Sequence, residues 1–270
     1  MLGKKDETSL EGTKILLVED NLLNQELVKE LIENQGSEVY IANNGQEALD
    51  ILLKQDKVVD CVLMDVQMPI MDGYAAAEQL RESEKMNNIP IIAMTANAMR
   101  SDREKALSVG MNDYIAKPFD AVDLFKLIKK WIKKSAHSTG ENEVFGNDVN
   151  EFPELKGIDT EHGMKVCNQN LKLYKKILKV YFISNKDFES QYLASSGSEE
   201  ILRLAHSLKG TSANIGALEI SNLSSELAAA CKNDESKEVL SNCFENLLES
   251  LNTTLSSLAD YLKESSIESK

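Results

Sequence analysis

The spacing of apolar residues changes near the middle of the chain, and that change restricts the fold more than any single motif. From Lys14 to about Lys134, short apolar runs alternate with amphipathic stretches. The runs are Ile15–Val18, Val39–Ala42, Cys61–Met64, Pro90–Met94 and Tyr114–Ala116. Each is short, partly β-branched and bounded by polar residues, the pattern of a strand buried on both faces. Between them, Leu22–Glu33, Gly45–Leu53, Tyr74–Glu84, Ser101–Val109 and Asp120–Lys133 read as helices that cover a sheet. Five such repeats predict a parallel, doubly wound α/β sheet. After Pro153 the alternation stops. Apolar residues then recur only at three and four, as in Tyr174, Ile177, Leu178, Tyr181 and in Val239, Cys243, Leu247, Leu251. That spacing predicts an all-α, antiparallel four-helix bundle. Residues 135–152, rich in Ser, Gly, Asn and acids, read as a linker. The expected organisation is 13–134, a linker at 135–152, and 153–263.

Charge narrows the function. The 270 residues carry a net charge of −14, and both halves are acidic: 17 Lys/Arg against 23 Asp/Glu in residues 1–135, and 13 against 21 in 136–270. That balance argues against nucleic acid, whose phosphates call for a basic face, and disfavours an anionic membrane surface. The four cysteines are far apart with no C-x-x-C pair, which argues against a zinc knuckle and for a reducing compartment. No apolar run approaches the ~18 residues of a membrane span, so a cytoplasmic location is expected, on its own or as part of a membrane-anchored protein.

Three acids and one lysine fall at strand ends. Glu19 and Asp20 close the first strand, Asp65 the third, Thr95 the fourth and Lys117 the fifth. With the flavodoxin-like order 2-1-3-4-5, strands 1 and 3 are adjacent at the switch point where ligands sit. Carboxylates brought so close call for a cation, and an all-oxygen set suits Mg²⁺. A cation, an ammonium, a hydroxyl and an accepting carboxylate make a phosphoryl-transfer site, with the carboxylate as nucleophile. Asp72 and Asp120 read instead as helix caps.

The runs Ile15-Leu-Leu-Val-Glu-Asp-Asn21, Val62-Leu-Met-Asp-Val-Gln-Met-Pro69, Ala93-Met-Thr-Ala96 and Tyr114-Ile-Ala-Lys-Pro-Phe119 resemble the response-regulator receiver family over residues 13–134. The resemblance implies that Asp65 is phosphorylated and that Glu19, Asp20, Asp65 and the carbonyl of Gln67 hold Mg²⁺. It implies that Lys117 contacts the phosphoryl group and precedes a cis peptide bond. Thr95 and Tyr114 would form a switch pair, with Gln67 and Asn97 tuning the lifetime of the acyl phosphate. Leu22 and Leu23 are candidate contacts for a docked partner.

Of three histidines, His137 lies in the linker and His162 reads as a surface polar residue. His206 is different. On a helix from about Glu199, with Ile201, Leu204 and Leu208 as the buried stripe, it points outward. Arg203 and Lys209 lie one turn away on either side, Leu202 offers an apolar anchor, and Gly210 leaves room beside the ring. Gly in a helix costs about 1 kcal/mol, so it calls for a reason. A neutral imidazole can attack phosphorus, and nearby cations attract the anion.

The string Leu204-Ala-His-Ser-Leu-Lys-Gly-Thr-Ser-Ala-Asn-Ile-Gly-Ala217 resembles the histidine-containing phosphotransfer (HPt) family. That resemblance implies a phosphoryl group on His206, assistance from Lys209 and space at Gly210. Together the two resemblances imply a two-component phosphorelay: an upstream histidine kinase to Asp65, Asp65 to His206, and His206 to a downstream response regulator. No G-x-x-x-x-G-K-[ST] loop for ATP is present. The arrangement resembles the C-terminal part of a hybrid sensor histidine kinase. Two other readings remain open at this stage: a phosphorylation-independent adaptor and a Mg²⁺-dependent phosphohydrolase.

Overall fold

The computed structural model describes residues 9–95, 100–132 and 152–267, without the side chains of 100, 101 and 264–267. Asn97, His137 and all of the expected linker but Phe152 lie outside the described residues. The chain divides at Gly146/Asn147 into two units.

In the first unit, β1 (Lys14–Val18), β2 (Glu38–Ala42), β3 (Cys61–Asp65), β4 (Ile91–Thr95) and β5 (Asp113–Ala116) form one parallel sheet in the order β2-β1-β3-β4-β5. Every residue of β3 and β4 is buried, which is why these strands read as continuous apolar runs. The edge strands β2 and β5 are only half-buried. The helices are α1 (Leu22–Glu33), α2 (Gly45–Leu49), α3 (Gly73–Arg81), α4 (Arg100–Ser108) and α5 (Ala121–Ile132). Asn21 caps α1 by accepting from the N–H groups of Leu23 and Asn24, and Asp72 caps α3 through Ala75. Asp120 accepts from the N–H of Val122 in the same way, so both aspartates are the caps the sequence suggested. One helix departs from expectation. The stretch Gly45–Leu53 is α-helical only to Leu49 and continues as a π-helical turn, Asp50–Lys54.

The second unit is helical: α6 (Thr160–Val166), α7 (Leu171–Asn185), α8 (Phe188–Ala194), α9 (Ser198–Ile215), α10 (Leu218–Lys232) and α11 (Lys237–Ile267). The four long helices pack in a closed ring, α7 on α9, α9 on α10, α10 on α11 and α11 on α7. Tyr174, near the start of α7, donates its hydroxyl to the carbonyl of Ile215 at the end of α9, so these two helices run in opposite directions. Gly216 turns α9 into α10. It has φ +88°, a left-handed conformation that terminates helices, and an added Cβ would strike the carbonyl of Asp159.

Candidate functional site

The first cluster sits at the C-terminal edge of the sheet, where β1 and β3 are neighbours. The peptide N–H of Glu19 follows β1 and donates to Ala42 at the end of β2, which fixes Glu19 at the edge. Its side chain is fully buried. One carboxylate oxygen accepts from Asn24 Nδ2 at 2.8 Å, while Gln25 Nε2 holds its carbonyl at 2.5 Å. Asp65 ends β3, and its Oδ1 accepts from the Gln67 N–H at 3.2 Å. Oxygens of Glu19, Asp20 and Asp65 all lie within 4.8 Å of one another. Glu19 and Asp65 are buried and Asp20 is exposed.

Lys117 joins two of these acids. Its Nζ stands 2.5 Å from Glu19 Oε2 and 2.7 Å from Asp65 Oδ2, on a side chain only 7% exposed. Its backbone N–H donates to the carbonyl of Thr95 at 2.7 Å, and the Lys117–Pro118 peptide bond is cis. Burial lifts the Glu19 carboxyl to a pKa of about 8, with Asp65 adding to the rise and Lys117 opposing it. For Lys117, burial favours the neutral amine, yet Asp65 and Glu19 together outweigh it and hold the ammonium charged. One ammonium is thus shared by two buried carboxylates with a third beside them. The site is short of positive charge and offers only oxygen ligands, a donor set that fits a hard divalent cation.

The other expected residues take nearby positions. Thr95 ends β4 and is buried. Gln67 is exposed, just past Asp65. Tyr114 is half-buried on β5, and the guanidinium of Arg103 lies 5.4 Å from its ring centre. Asn97 is outside the described residues. Leu22 is 64% exposed, but Leu23 is buried in the core and cannot be a surface contact. Gly73 was not singled out by the sequence. Its N–H donates to the carbonyl of Val66, and an added Cβ would strike the carbonyl of Asp65, so the start of α3 buttresses the backbone of Asp65.

The second cluster lies on α9. The stripe it buries is Ala205, Leu208, Ser212 and Ile215, whereas Ile201 and Leu204 are only half-buried. His206 therefore sits at the edge of the buried face. It is half-buried, not exposed as the leucine pattern suggested. Its Nδ1 is enclosed and has no hydrogen-bond partner, which leaves Nε2 as the nitrogen that meets solvent. Lys209 follows one turn on, and an added Cβ at Gly210 would meet nothing within 4 Å. Burial lowers the His206 pKa below its ordinary value, and Lys209 and Lys232 lower it further. Lys232, at the end of α10, is not visible from the local motif because its charge acts on the ring from another helix. Arg203 acts instead on Glu200. His162, expected at the surface, is half-buried on α6 with its Nε2 enclosed.

Two family models match the chain: the response regulator receiver domain over residues 15–129 and the Hpt domain over residues 186–263. The chain belongs to the response regulator receiver family and carries an Hpt domain after the receiver. Hybrid signal transduction histidine kinase I of Dictyostelium discoideum is 40% identical over 139 residues, 48% of this chain and 8% of that kinase. Sensor histidine kinase GacS of Pseudomonas protegens is 30% identical over 244 residues, 86% of this chain and 25% of the kinase. The chain therefore spans a quarter or less of either kinase. The receiver domain of a Pseudomonas aeruginosa sensor histidine kinase, whose crystal structure is described with magnesium in its active-site cleft, is 40% identical and matches 45% of this chain and 98% of that one, with a TM-score of 0.43. A receiver and an Hpt domain in one chain, with hybrid kinases among its relatives, make this a phosphorelay protein. Among the described residues, no helix is long and apolar enough to cross a membrane.

Proposed function

We propose that Asp65 accepts a phosphoryl group from the histidine of an upstream kinase and passes it to His206, which delivers it to an aspartate on a separate response regulator. The receiver would occupy residues 13–134, the linker 135–152 and the Hpt domain 153–263, in the cytoplasm and within a hybrid kinase. The observation that carries the reading is the single ammonium of Lys117 between buried Glu19 and Asp65, with an Asp20 oxygen within 4.8 Å of both acids. Glu19, Asp20, Asp65 and the carbonyl of Gln67 would hold Mg²⁺, which when bound neutralises charge on the transferring group.

The chain's own residues do the rest. Asp65 supplies the nucleophilic oxygen. Lys117 stays protonated and faces the charge that develops on the phosphoryl oxygens. Asn24 and Gln25 fix Glu19 so that the pocket does not rearrange. Thr95 supplies a hydroxyl at the end of β4, and with Tyr114 it would report occupancy of Asp65 to the β4–β5 surface, while Gln67 and Asn97 set how long the acyl phosphate lasts. In the second step the Asp65 Oδ–P bond breaks as a His206 Nε2–P bond forms, and the electron pair returns to the Asp65 carboxylate. Lys209 attracts the anion, and Gly210 leaves space for it.

The test is phosphorylation of the whole chain with a small acyl-phosphate donor and Mg²⁺, followed by mass mapping. A base-labile adduct on Asp65 should decay as acid-labile label appears on His206. Asp65→Asn should abolish both signals, His206→Gln only the second, and a chelator the first step. Label on other residues, or label on Asp65 that is indifferent to metal, overturns the reading.

A further inference from the structure

We propose that Asn24 is a positioning residue for the cation site: by donating to Glu19 Oε1 it holds the Glu19 carboxylate in one orientation and so favours Mg²⁺ over the larger Ca²⁺. The inference rests on the reading of Glu19 as a metal ligand and extends it to a residue that is not itself among the ligands.

Three observations support it. Of the clustered acids Glu19, Asp20 and Asp65, only Glu19 has the longer glutamate arm. The terminal torsion of a glutamate is broad and roughly two-fold, so this is the carboxylate most free to turn. The structure holds it from two sides. Oε1 accepts from Asn24 Nδ2 at 2.8 Å and more distantly, at 3.4 Å, from the Asn21 N–H. Oε2 accepts from Lys117 Nζ at 2.5 Å. The short donors thus come from different elements, one on α1 and one just past β5. Asn24 is itself held in place. It lies in the first turn of α1, its N–H bonds to the capping Asn21 Oδ1 at 3.3 Å, and it is buried. Glu19 has no solvent exposure, so water cannot replace the amide. Without Asn24, Oε1 keeps only the long contact to Asn21 among these donors, and Lys117 alone would let the carboxylate pivot. Ion size enters through geometry. Mg²⁺ demands near-ideal octahedral oxygens, whereas Ca²⁺ takes more oxygens at longer distances in a flexible arrangement. A carboxylate fixed in advance therefore favours the smaller ion. Partners that orient a metal's ligands typically contribute 10- to 100-fold to affinity.

The experiment titrates the full chain with MgCl₂ and with CaCl₂ by calorimetry, at one pH and ionic strength and with no phosphoryl donor. Asn24→Leu keeps much of the side chain's bulk and removes the donor. It should weaken Mg²⁺ binding about tenfold. Ca²⁺ binding should fall by less than about threefold, so the preference for Mg²⁺ narrows. Asn24→Ala should narrow it equally, with a lower urea midpoint because it also leaves a cavity. The alanine variant decides the question if the leucine variant does not fold. A preference unchanged from wild type overturns the role of Asn24 while the metal reading of Glu19 stands. So does an equal loss of both ions, which is the mark of a generally loosened fold. A wild-type chain that binds no Mg²⁺ overturns both.

Discussion

Lys117 places its ammonium 2.5 Å from Glu19, an acid with no solvent exposure, while it also holds Asp65 at 2.7 Å. The contact that would prepare the proposed phosphoryl site also keeps two buried carboxylates from facing each other unscreened. Removing one partner of such a pair leaves uncompensated buried charge, and the cost is about 3 kcal/mol. Lys117→Met should lower the receiver's unfolding free energy by roughly that amount. Trp131, the chain's one tryptophan, lies on α5 with its Nε1 bonded to Asp113, so its fluorescence in urea follows the receiver alone. Added Mg²⁺ should recover part of the loss, because a bound cation stabilises the state that binds it. A midpoint indifferent to the substitution would show that the pair contributes nothing to the fold.

The β3–α3 connection gives a separate prediction. Gly73 has no room for a side chain because the carbonyl of Asp65 lies where a Cβ would project. Gly73→Ala must push α3 away from β3 or shift Asp65 itself. Overpacking of this kind costs typically 1–3 kcal/mol, so about 2 kcal/mol is expected. Labelling of Asp65 by the small donor should slow as well, even at temperatures where the variant remains folded. Wild-type labelling in a destabilised variant would separate the buttress from the chemistry.

Much of this architecture is legible in local spacing, and what is not legible has identifiable causes. β3 and β4 are buried on both faces, so no polar residue interrupts them and their runs stand out. The helix that apolar spacing places at Leu22–Glu33 is α1 with the same bounds, and Asn21 caps its start. The π-helical turn at Asp50–Lys54 could not be placed, since one extra residue per turn barely disturbs the apolar spacing of so short a stretch. The spacing of Ile201, Leu204 and Leu208 misplaces the buried stripe of α9, since only Leu208 of the three is buried. Small residues, Ala205 and Ser212, face inward there, where α10 also buries small residues such as Ser224 and Ala228. The strand-end acids and Lys117 were visible as residue types. The grip of Asn24 and Gln25 on Glu19 and the buttress at Gly73 depend on contacts between elements, which no one-dimensional pattern records.

The half-buried position of His206 has a consequence for pH. Burial disfavours the charged ring, and Lys209 and Lys232 add to that effect, so the folded-state pKa lies below the ordinary 6.5. The neutral ring, which carries the nucleophilic lone pair, therefore persists to lower pH than in an exposed histidine. For stability the sign is unfavourable on the acid side. The unfolded chain takes up a proton as pH falls through about 6.5, the folded chain does so only lower, and the Hpt unit loses stability across that interval. NMR titration of the His206 ring should give a folded value below that of an unfolded peptide containing the same residues. A value at or above the peptide's contradicts the burial seen here.

Gly210 would set helix stability against the proposed transfer. It lies inside α9, where a glycine costs about 0.5–1 kcal/mol relative to alanine, and an added Cβ would meet nothing within 4 Å. Gly210→Ala should therefore stabilise the Hpt unit by up to about 1 kcal/mol, read from thermal unfolding followed by far-UV circular dichroism. A larger side chain keeps the helix but fills the space one turn from His206. Gly210→Leu should slow transfer from phospho-Asp65 by on the order of tenfold or more, since displacing a reacting group by an ångström can cost a hundredfold. Labelling of Asp65 itself should be unchanged in both variants. If Gly210→Leu transferred at the wild-type rate, the open space beside the ring would have no part in admitting the phosphoryl group, and the glycine's cost to the helix would need another explanation.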